Sequence, residues 1–449
     1  MDTIVAIATS AGRSAIGVVR FSGPDCRGIL QRLLQNPSFD PEPRKLFLKE
    51  ILRGSGETLD SALVSYFEAP HSFTGEDMLE ISCHGSPLIL RNLLDLAQSF
   101  GARLAGPGEF TLRACRHGKM NLAQAEAVRD LINAQTAAAS SQALRQLKGE
   151  LSHTLQPTRE LLIEIIVRLE SALEFVEDDL PEVEAATLER KMRKAETEIK
   201  KLAATFATGR ALRDGINVAI VGTPNAGKSS VFNRLVGRDR AIVTEDAGTT
   251  RDTISESITL CGIPISLTDT AGIRAASGRI EQLGVERSYR AAADADLLVV
   301  MLDGSKELTP DDEAVLAEAA TSKHVVAVNK ADLDQRYDKS ELPSAAPVVH
   351  ISAVTGAGLD ELTAAILQPF GSVDSDAAGL LITDSRHFDL LRRTEMSLKG
   401  SRDLLLEGAG EEIVLVGLHN ALRFLGEITG ETTSDDILGE IFSTFCIGK

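Results

Sequence analysis

Ile216-Asn-Val-Ala-Ile-Val221, Gly222-Thr-Pro-Asn-Ala-Gly-Lys-Ser229 and Ser230-Val-Phe-Asn-Arg-Leu-Val-Gly237 read, in immediate succession, as apolar strand, glycine-rich turn and helix. The middle segment fits Gly-x4-Gly-Lys-[Ser/Thr] in the strand–turn–helix context that the motif requires. Its glycines let backbone N–H groups wrap phosphates at a helix N-terminus. Lys228 supplies positive charge to the β- and γ-phosphates, and the Ser229 hydroxyl can ligate Mg²⁺. Asn225, Ala226, Gly227 and Ser230 complete the phosphate-binding stretch.

Three further elements follow on successive strand ends. Asp269-Thr270-Ala271-Gly272 comes after the run Ile263 to Thr268, where a carboxylate can hold Mg²⁺ through water and the Gly272 amide can sense a γ-phosphate. Asn329-Lys330-Ala331-Asp332 ends the next run but one, Val325 to Val328. The Asp332 carboxylate can accept from both N1–H and the 2-amino group of guanine, whereas adenine would leave it unpaired. Ser352-Ala353, after the run Val348 to Ile351, can aim a backbone N–H at the guanine O6. Singly, Asp-x-x-Gly is a common turn and Asn-Lys-x-Asp a serviceable helix cap. Together and in this order they predict a GTP site.

Between the first helix and second strand of this region lies Thr244-Glu245-Asp246-Ala247-Gly248-Thr249-Thr250. GTPases place there a loop whose threonine meets Mg²⁺ only while GTP is bound, which makes Thr250 the candidate. Ile273 occupies the position where Ras-like enzymes carry a water-orienting glutamine, and an aliphatic chain cannot orient water. Glu281 is a candidate for that work, set against the plainer reading of a solvated side chain. No arginine finger is legible, so transition-state charge must be neutralised in trans or by a second cation.

Around this α/β region the patterns change. Residues 1 to about 118 mix β-rich runs (Thr3 to Ala8, Ile16 to Phe21, Leu63 to Glu68, Met78 to Ser82) with one amphipathic stretch, Leu88 to Phe100, as in an α+β domain. From Asn121 to about Thr208 apolar residues recur at helical spacing, predicting long packed helices broken near Pro157 and Pro181. Helical patterning resumes after Gly371. The expected fold is therefore multi-domain α/β plus α, with a P-loop GTPase domain inserted in a helical domain built from two segments. A chain of 449 residues exceeds one core, so about three domains are expected.

The 43% apolar and 25% charged content is that of a soluble globular protein, and no run of residues is long and apolar enough to span a bilayer. No stable membrane insertion and a cytoplasmic location are expected. Five scattered cysteines show neither a disulfide framework nor zinc-ligand spacing. A net charge of −18 disfavours non-specific nucleic-acid binding, although Arg190, Lys191, Arg193, Lys194, Lys200 and Lys201 form a local basic run.

With these motifs in place, the whole chain resembles the MnmE (TrmE) tRNA-modification GTPases. The likeness is carried by Asp2-Thr-Ile-Val-Ala, Gly75-Glu-Asp, Cys83-His-Gly, Lys119-Met-Asn-Leu-Ala-Gln-Ala-Glu-Ala, Thr433-Ser-Asp-Asp-Ile-Leu-Gly-Glu-Ile-Phe and the ending Cys446-Ile-Gly-Lys449. The resemblance implies a homodimer of three-domain subunits: residues 1–118 for tetrahydrofolate binding and dimerisation, 119–211 and 372–449 as the helical domain, and 212–371 as an inserted Ras-like GTPase domain. It implies that paired GTPase domains use K⁺ in place of an arginine finger, held by Asn225, Thr244, Asp246 and Thr249, and that Glu281 positions water. Relatives commonly carry an aliphatic residue at the Asp246 position, so the ligand there would be the main chain.

By the same comparison Arg20, Glu80, Lys119 and Lys449 would contact 5,10-methylene- or 5-formyl-tetrahydrofolate, and Cys446 would be a catalytic thiol, although a small buried hydrophobe fits its sequence equally well. The implied activity is GTP hydrolysis serving tRNA modification. With an FAD-dependent MnmG (GidA) partner in a heterotetramer, a carboxymethylaminomethyl or aminomethyl group would be installed at C5 of wobble uridine. A GTP-gated ribosome-assembly or translation factor is the alternative, disfavoured by acidic charge and the lack of aromatic-basic interleaving. A folate enzyme such as an aminomethyl transferase, with the GTPase domain only regulatory, is a third.

Overall fold

The computed structural model describes residues 2–174, 182–238, 255–269, 293–336, 342, 346–371, 379–431 and 435–448. They fall into two compact units. One joins Met1–Arg129, Gln146–Thr154 and Arg423–Lys449; the other joins Asp130–Arg145 and Leu155–Leu422.

The first unit is built on a sheet of β1 (Ile4–Ile7), β2 (Ile16–Ser22), β3 (Leu46–Leu52), β4 (Thr58–Phe67), β5 (Met78–His84) and β6 (Arg103–Leu104). The order is β3-β4-β5-β2-β1-β6, antiparallel except where β1 meets β6. Alternation along β1 sends Val5 to the core beneath α1 (Cys26–Leu33) and α2 (Pro87–Ser99), while Ile4 and Ala6 meet Phe110 of α3 (Glu109–Arg116) on the opposite face. The α+β reading of this segment holds, with β3, β6, α1 and α3 added to it. Leu46 and Leu48 of β3 and Leu63 of β4 remain exposed. The helix α4 (Leu122–Asn133) starts beside the C-terminal residues Phe442 and Phe445, which share a buried cluster with Leu122 and Ala125.

The helical pattern needs one correction. Pro157 does not break the chain but lies inside α6 (Glu150–Glu174), which follows α5 (Ala137–Leu147). The missing N–H forfeits one helical bond, a cost of about 3 kcal/mol. Leu151, Leu155, Leu162, Ile165, Ile166 and Leu169 are nonetheless all buried, and at about 1.5–3 kcal/mol each their burial outweighs it. The break comes earlier, at Gly149, whose φ of +83 turns the chain between the two helices.

In the second unit α7 (Glu182–Ala204) and α8 (Phe206–Asp214) lead into a second sheet. Its elements are β7 (Ile216–Gly222), α9 (Lys228–Arg238), β8 (Ser255–Leu260), β9 (Ile263–Asp269), β10 (Leu297–Asp303), α10 (Pro310–Ala319), β11 (His324–Asn329), β12 (Val348–His350) and α11 (Leu359–Leu367). The order β12-β11-β10-β7-β9-β8 is parallel except for the β8–β9 hairpin. Helices cover both faces: Val231, Phe232 and Leu362 pack on one, Leu316 and Ala319 on the other. Beyond it run α12 (Ser385–Leu406) and α13 (Glu411–Thr429), and Phe388 of α12 stacks on Phe206 of α8 at 4.3 Å; the last helix, α14 (Asp435–Ser443), belongs to the first unit.

Candidate functional site

The nucleotide motifs converge at the C-terminal ends of β7, β9, β10 and β11, the edge at which doubly wound sheets bind ligands. At Gly222 a Cβ would stand 2.4 Å from Met301 O on the neighbouring strand, so only glycine fits. Asn225 and Gly227 have φ of +66 and +94, which curls the loop that ends at the start of α9. The Lys228 ammonium folds back across the loop and donates to Gly222 O and Thr223 O, both at 2.8 Å. Ser229 Oγ donates to Asp269 Oδ2 at 2.7 Å, bringing together two hard oxygen donors from α9 and β9 beside the phosphate loop. That pair suits Mg²⁺, which takes a few protein oxygens and leaves its remaining positions to phosphates and water.

Asn329 is the hub. Buried at the end of β11, it donates through Nδ2 to Ala226 O of the phosphate loop (2.9 Å) and accepts through Oδ1 from Ala353 N (3.1 Å). The Ala353 N–H, expected to face the guanine O6, is thus engaged within the protein. Asp332 is exposed, and its Oδ1 accepts from the hydroxyl of the fully buried Ser352. Lys330 has φ +66, and its ammonium pairs with Asp303 Oδ2 at 2.6 Å. Thr223 Oγ1 donates to Asp312 Oδ1 at 2.8 Å, and Asp312 also closes the capping box with Thr309 at the start of α10.

The first unit holds a second cluster. Arg20 on β2 and Glu80 on β5 are directly opposed, joined at 2.8 Å through both Nε and Nη2. The Arg20 guanidinium lies 5.8 Å from the Phe73 ring and 6.0 Å from the Phe110 ring, and donates to Gly448 O at 3.4 Å. The C-terminal tail is docked there: Ile447 bridges Pro107, and Gly108 N donates to Cys446 O at 3.3 Å. Gly448 has φ +94 and no room for a Cβ, which would stand 2.4 Å from Ile7 O.

Two family models span almost all of this chain: the MnmE helical domain matches residues 122–446, and the N-terminus of the GTP-binding protein TrmE matches residues 3–119. Curated relatives named tRNA modification GTPase MnmE match end to end. That of Aquifex aeolicus (strain VF5) is 42% identical over 449 residues, all of both chains. That of Koribacter versatilis (strain Ellin345) is 44% identical over 452 residues, 100% of this chain and 99% of the relative. The chain belongs to the MnmE family. Among solved structures, the G domain of the T. maritima FeoB iron transporter is 30% identical, covering 34% of this chain and 97% of that one at a TM-score of 0.27.

The structure gathers Asn225, Ala226, Gly227, Lys228, Ser229 and Ser230 with Asp269, Asn329 to Asp332, Ser352 and Ala353 at one sheet edge, and Arg20, Glu80 and Cys446 to Gly448 at another place. Lys119 packs beside Gly75, where a Cβ would stand 3.3 Å from Lys119 Cε. Thr244 to Thr250, Thr270, Ala271, Gly272, Glu281 and Lys449 lie outside the described residues. Cys446 is exposed, which removes the reading of it as a small buried hydrophobe. In the basic run, Lys191, Arg193 and Lys201 pair with Glu164, Glu189 and Glu198. Among the described residues no three His, Cys, Asp or Glu side chains cluster as metal ligands, and no helix is long and apolar enough to cross a membrane.

Sequence reasoning missed Asp303, Asp312 and the Ser352 hydroxyl. The Thr309-x-x-Asp312 capping box was a legible signal for one of them. The other two act through partners on different strand ends, which no local pattern reports.

Proposed function

We propose that this GTP hydrolase couples nucleotide turnover to modification of wobble uridine (position 34) in the cytoplasm, the three domains taking the bounds 1–118, 119–211 with 372–449, and 212–371. The observation that supports the reading is the co-occurrence, in one chain matched end to end by the MnmE relatives, of the Asn329 contact that ties the Asn-Lys-x-Asp segment to the glycine-rich loop and a second cluster at the docked C-terminal tail.

In the guanine site, the phosphate loop and Lys228 bind the phosphates. Ser229 and Asp269 would hold Mg²⁺, which supplies charge neutralisation when bound. Asp332, oriented by Ser352, selects guanine, and Asn329 fixes the phosphate loop relative to that carboxylate. Glu281 would position water, Thr250 would add a ligand to Mg²⁺, and Asn225, Thr244, Asp246 and Thr249 would hold K⁺, supplying the positive charge of an arginine finger when GTPase domains pair. Equal GTPase rates in KCl and NaCl would remove the K⁺ assignment.

In the second cluster, Arg20 and Glu80 are paired, so they act at the same end of a bound molecule. Glu80 accepts from pterin N–H groups, Arg20 orients that carboxylate, and Lys119 and Lys449 are left for the glutamate carboxylates of a methylene- or formyl-tetrahydrofolate. The exposed Cys446 stands next to this place as the candidate thiol. The exposed Leu46, Leu48 and Leu63 support a homodimer formed through the N-terminal sheet, and an FAD-dependent MnmG partner completes the tRNA-modifying assembly. Nucleoside analysis of tRNA from cells lacking the protein tests the whole reading: loss of the aminomethyl-type group at position 34 supports it, and fully modified tRNA overturns it.

A further inference from the structure

The carboxylate that ends β10 belongs to none of the guanine-site motifs, yet it reaches into the loop that reads the base. Asp303 Oδ2 holds the Lys330 ammonium at 2.6 Å, while Oδ1 accepts from Ser305 N (3.1 Å) and Ser305 Oγ (2.6 Å). The side chain is 11% exposed, so it is fixed from its own turn and presents its second oxygen to Lys330. Burial works to raise its pKa, and the bonds from Lys330 and Ser305 outweigh that and hold it below the usual carboxylate value.

Lys330 needs holding. Its φ of +66 is a left-handed conformation that a lysine keeps only where its surroundings over-determine it, and such residues gather at ligand sites. The turn after β10 supplies further restraint. Gly304 N donates to Asn329 O and Gly304 O accepts from Arg336 N, both at 2.9 Å. Gln335 Nε2 donates to Lys330 O (2.9 Å) and Leu333 O (3.0 Å), and Ala331 N donates to Ile351 O (2.9 Å). These bonds fix the backbone on either side, and the Asp303 pair is the contact that grips the Lys330 side chain. Two residues on stands Asp332.

We infer that Asp303 is a positioning residue for guanine recognition: by gripping the Lys330 ammonium it keeps residue 330 left-handed and so aims the Asp332 carboxylate at the base. The inference rests on the guanine reading of Asp332. Inosine nucleotides test the aim because hypoxanthine keeps N1–H and lacks the 2-amino group, leaving Asp332 one of its two bonds.

The experiment measures affinities of the full chain for fluorescent N-methylanthraniloyl GDP and IDP in Mg²⁺ buffer, for the wild type, Asp303→Asn, Lys330→Met and the double variant. Asparagine keeps the shape and an acceptor for Ser305 and removes the charge. The expected result is a GDP affinity about tenfold weaker in Asp303→Asn, about 1.4 kcal/mol. IDP loses less, so the GDP preference narrows, and the KM for GTP rises more than kcat falls. In the Lys330→Met background Asp303→Asn adds nothing, because its effect passes through the ammonium. Equal losses for GDP and IDP in both backgrounds, with a lowered Tm, would make Asp303 merely structural and overturn the inference; so would unchanged GDP affinity. A wild type without preference for GDP over IDP would defeat the guanine reading itself, and the inference with it.

Discussion

Replacing Ser352 with alanine removes a single oxygen from beneath the base site, and the structure separates its two consequences. Ser352 is fully buried, and its Oγ accepts from Thr355 N at 3.1 Å while donating to Asp332 Oδ1. The Thr355 bond joins two groups of the protein itself, so its loss falls on folding, where an orphaned N–H costs about 1–3 kcal/mol. The bond to Asp332 is charge-assisted, worth about 1.5–3 kcal/mol, and under the proposed function it matters differentially because it fixes the carboxylate assigned to two guanine donors. If about half of that reaches the binding equilibrium, GDP affinity falls roughly three- to twelvefold. The unfolding midpoint without nucleotide drops by several degrees, at about 2–4 °C per kcal/mol for a unit of this size. Titration calorimetry with GDP and scanning calorimetry of the nucleotide-free chain read the two effects separately. A lowered Tm with GDP affinity unchanged within about twofold would refute the role of the hydroxyl in aiming Asp332.

At Gly227 a Cβ would stand 2.0 Å from Asn329 Nδ2 at a φ of +94. Gly227→Ala should therefore abolish GDP binding and destabilise the fold by about 1–3 kcal/mol, and retention of wild-type affinity would contradict the close approach. In the first unit, Arg113 pairs with Asp2, Glu76 and Glu109. Bonds from Arg103 and then Arg113 hold the Asp2 carboxyl below its ordinary value against burial. At Glu109 burial pulls upward and the bonds from Arg103, Gly106 N and Arg113 prevail. Both carboxyls are depressed in the folded state, so their contribution is complete above about pH 4.5 and is lost as pH falls through the folded values. Denaturation midpoints measured from neutral to acid pH should fall less steeply in Arg113→Met than in the wild type, and parallel curves would refute the network. Burial holds the Cys83 thiol up at about 11 and Cys115 at about 12, while Cys261 and Cys446 are exposed. Iodoacetamide should label only the last two among these four in the native chain, and comparable labelling of the half-buried Cys115 would contradict its raised pKa.

What the sequence made legible was whatever is written locally. The phosphate loop, Asp269, and Asn329 to Asp332 are contiguous motifs on strand ends, and the apolar runs of β7, β9, β10 and β11 announce themselves because both faces are buried. Strand β3 escaped because it is an edge strand whose outward positions, Leu46 and Leu48, are apolar, which blurs the period-two signal. Pro157 misled because a helix with a long buried face can absorb one lost bond, and Gly149 was the better breaker. Asp303 and the Ser352 hydroxyl were hidden for another reason: their partners, Lys330 and Asp332, come from other strand ends, and only the parallel register brings them into contact.

The central claim is that GTP bound by Lys228 and Asp332 drives a modification carried out elsewhere in the same protein. The direct measurement is nucleoside mass spectrometry of tRNA from cells that lack the chromosomal copy and express either the wild type or Lys228→Ala at equal level. The account predicts that the wild type restores the modified wobble uridine and that Lys228→Ala, folded but unable to hold the phosphates, leaves it unmodified. Full modification in the Lys228→Ala cells would contradict it.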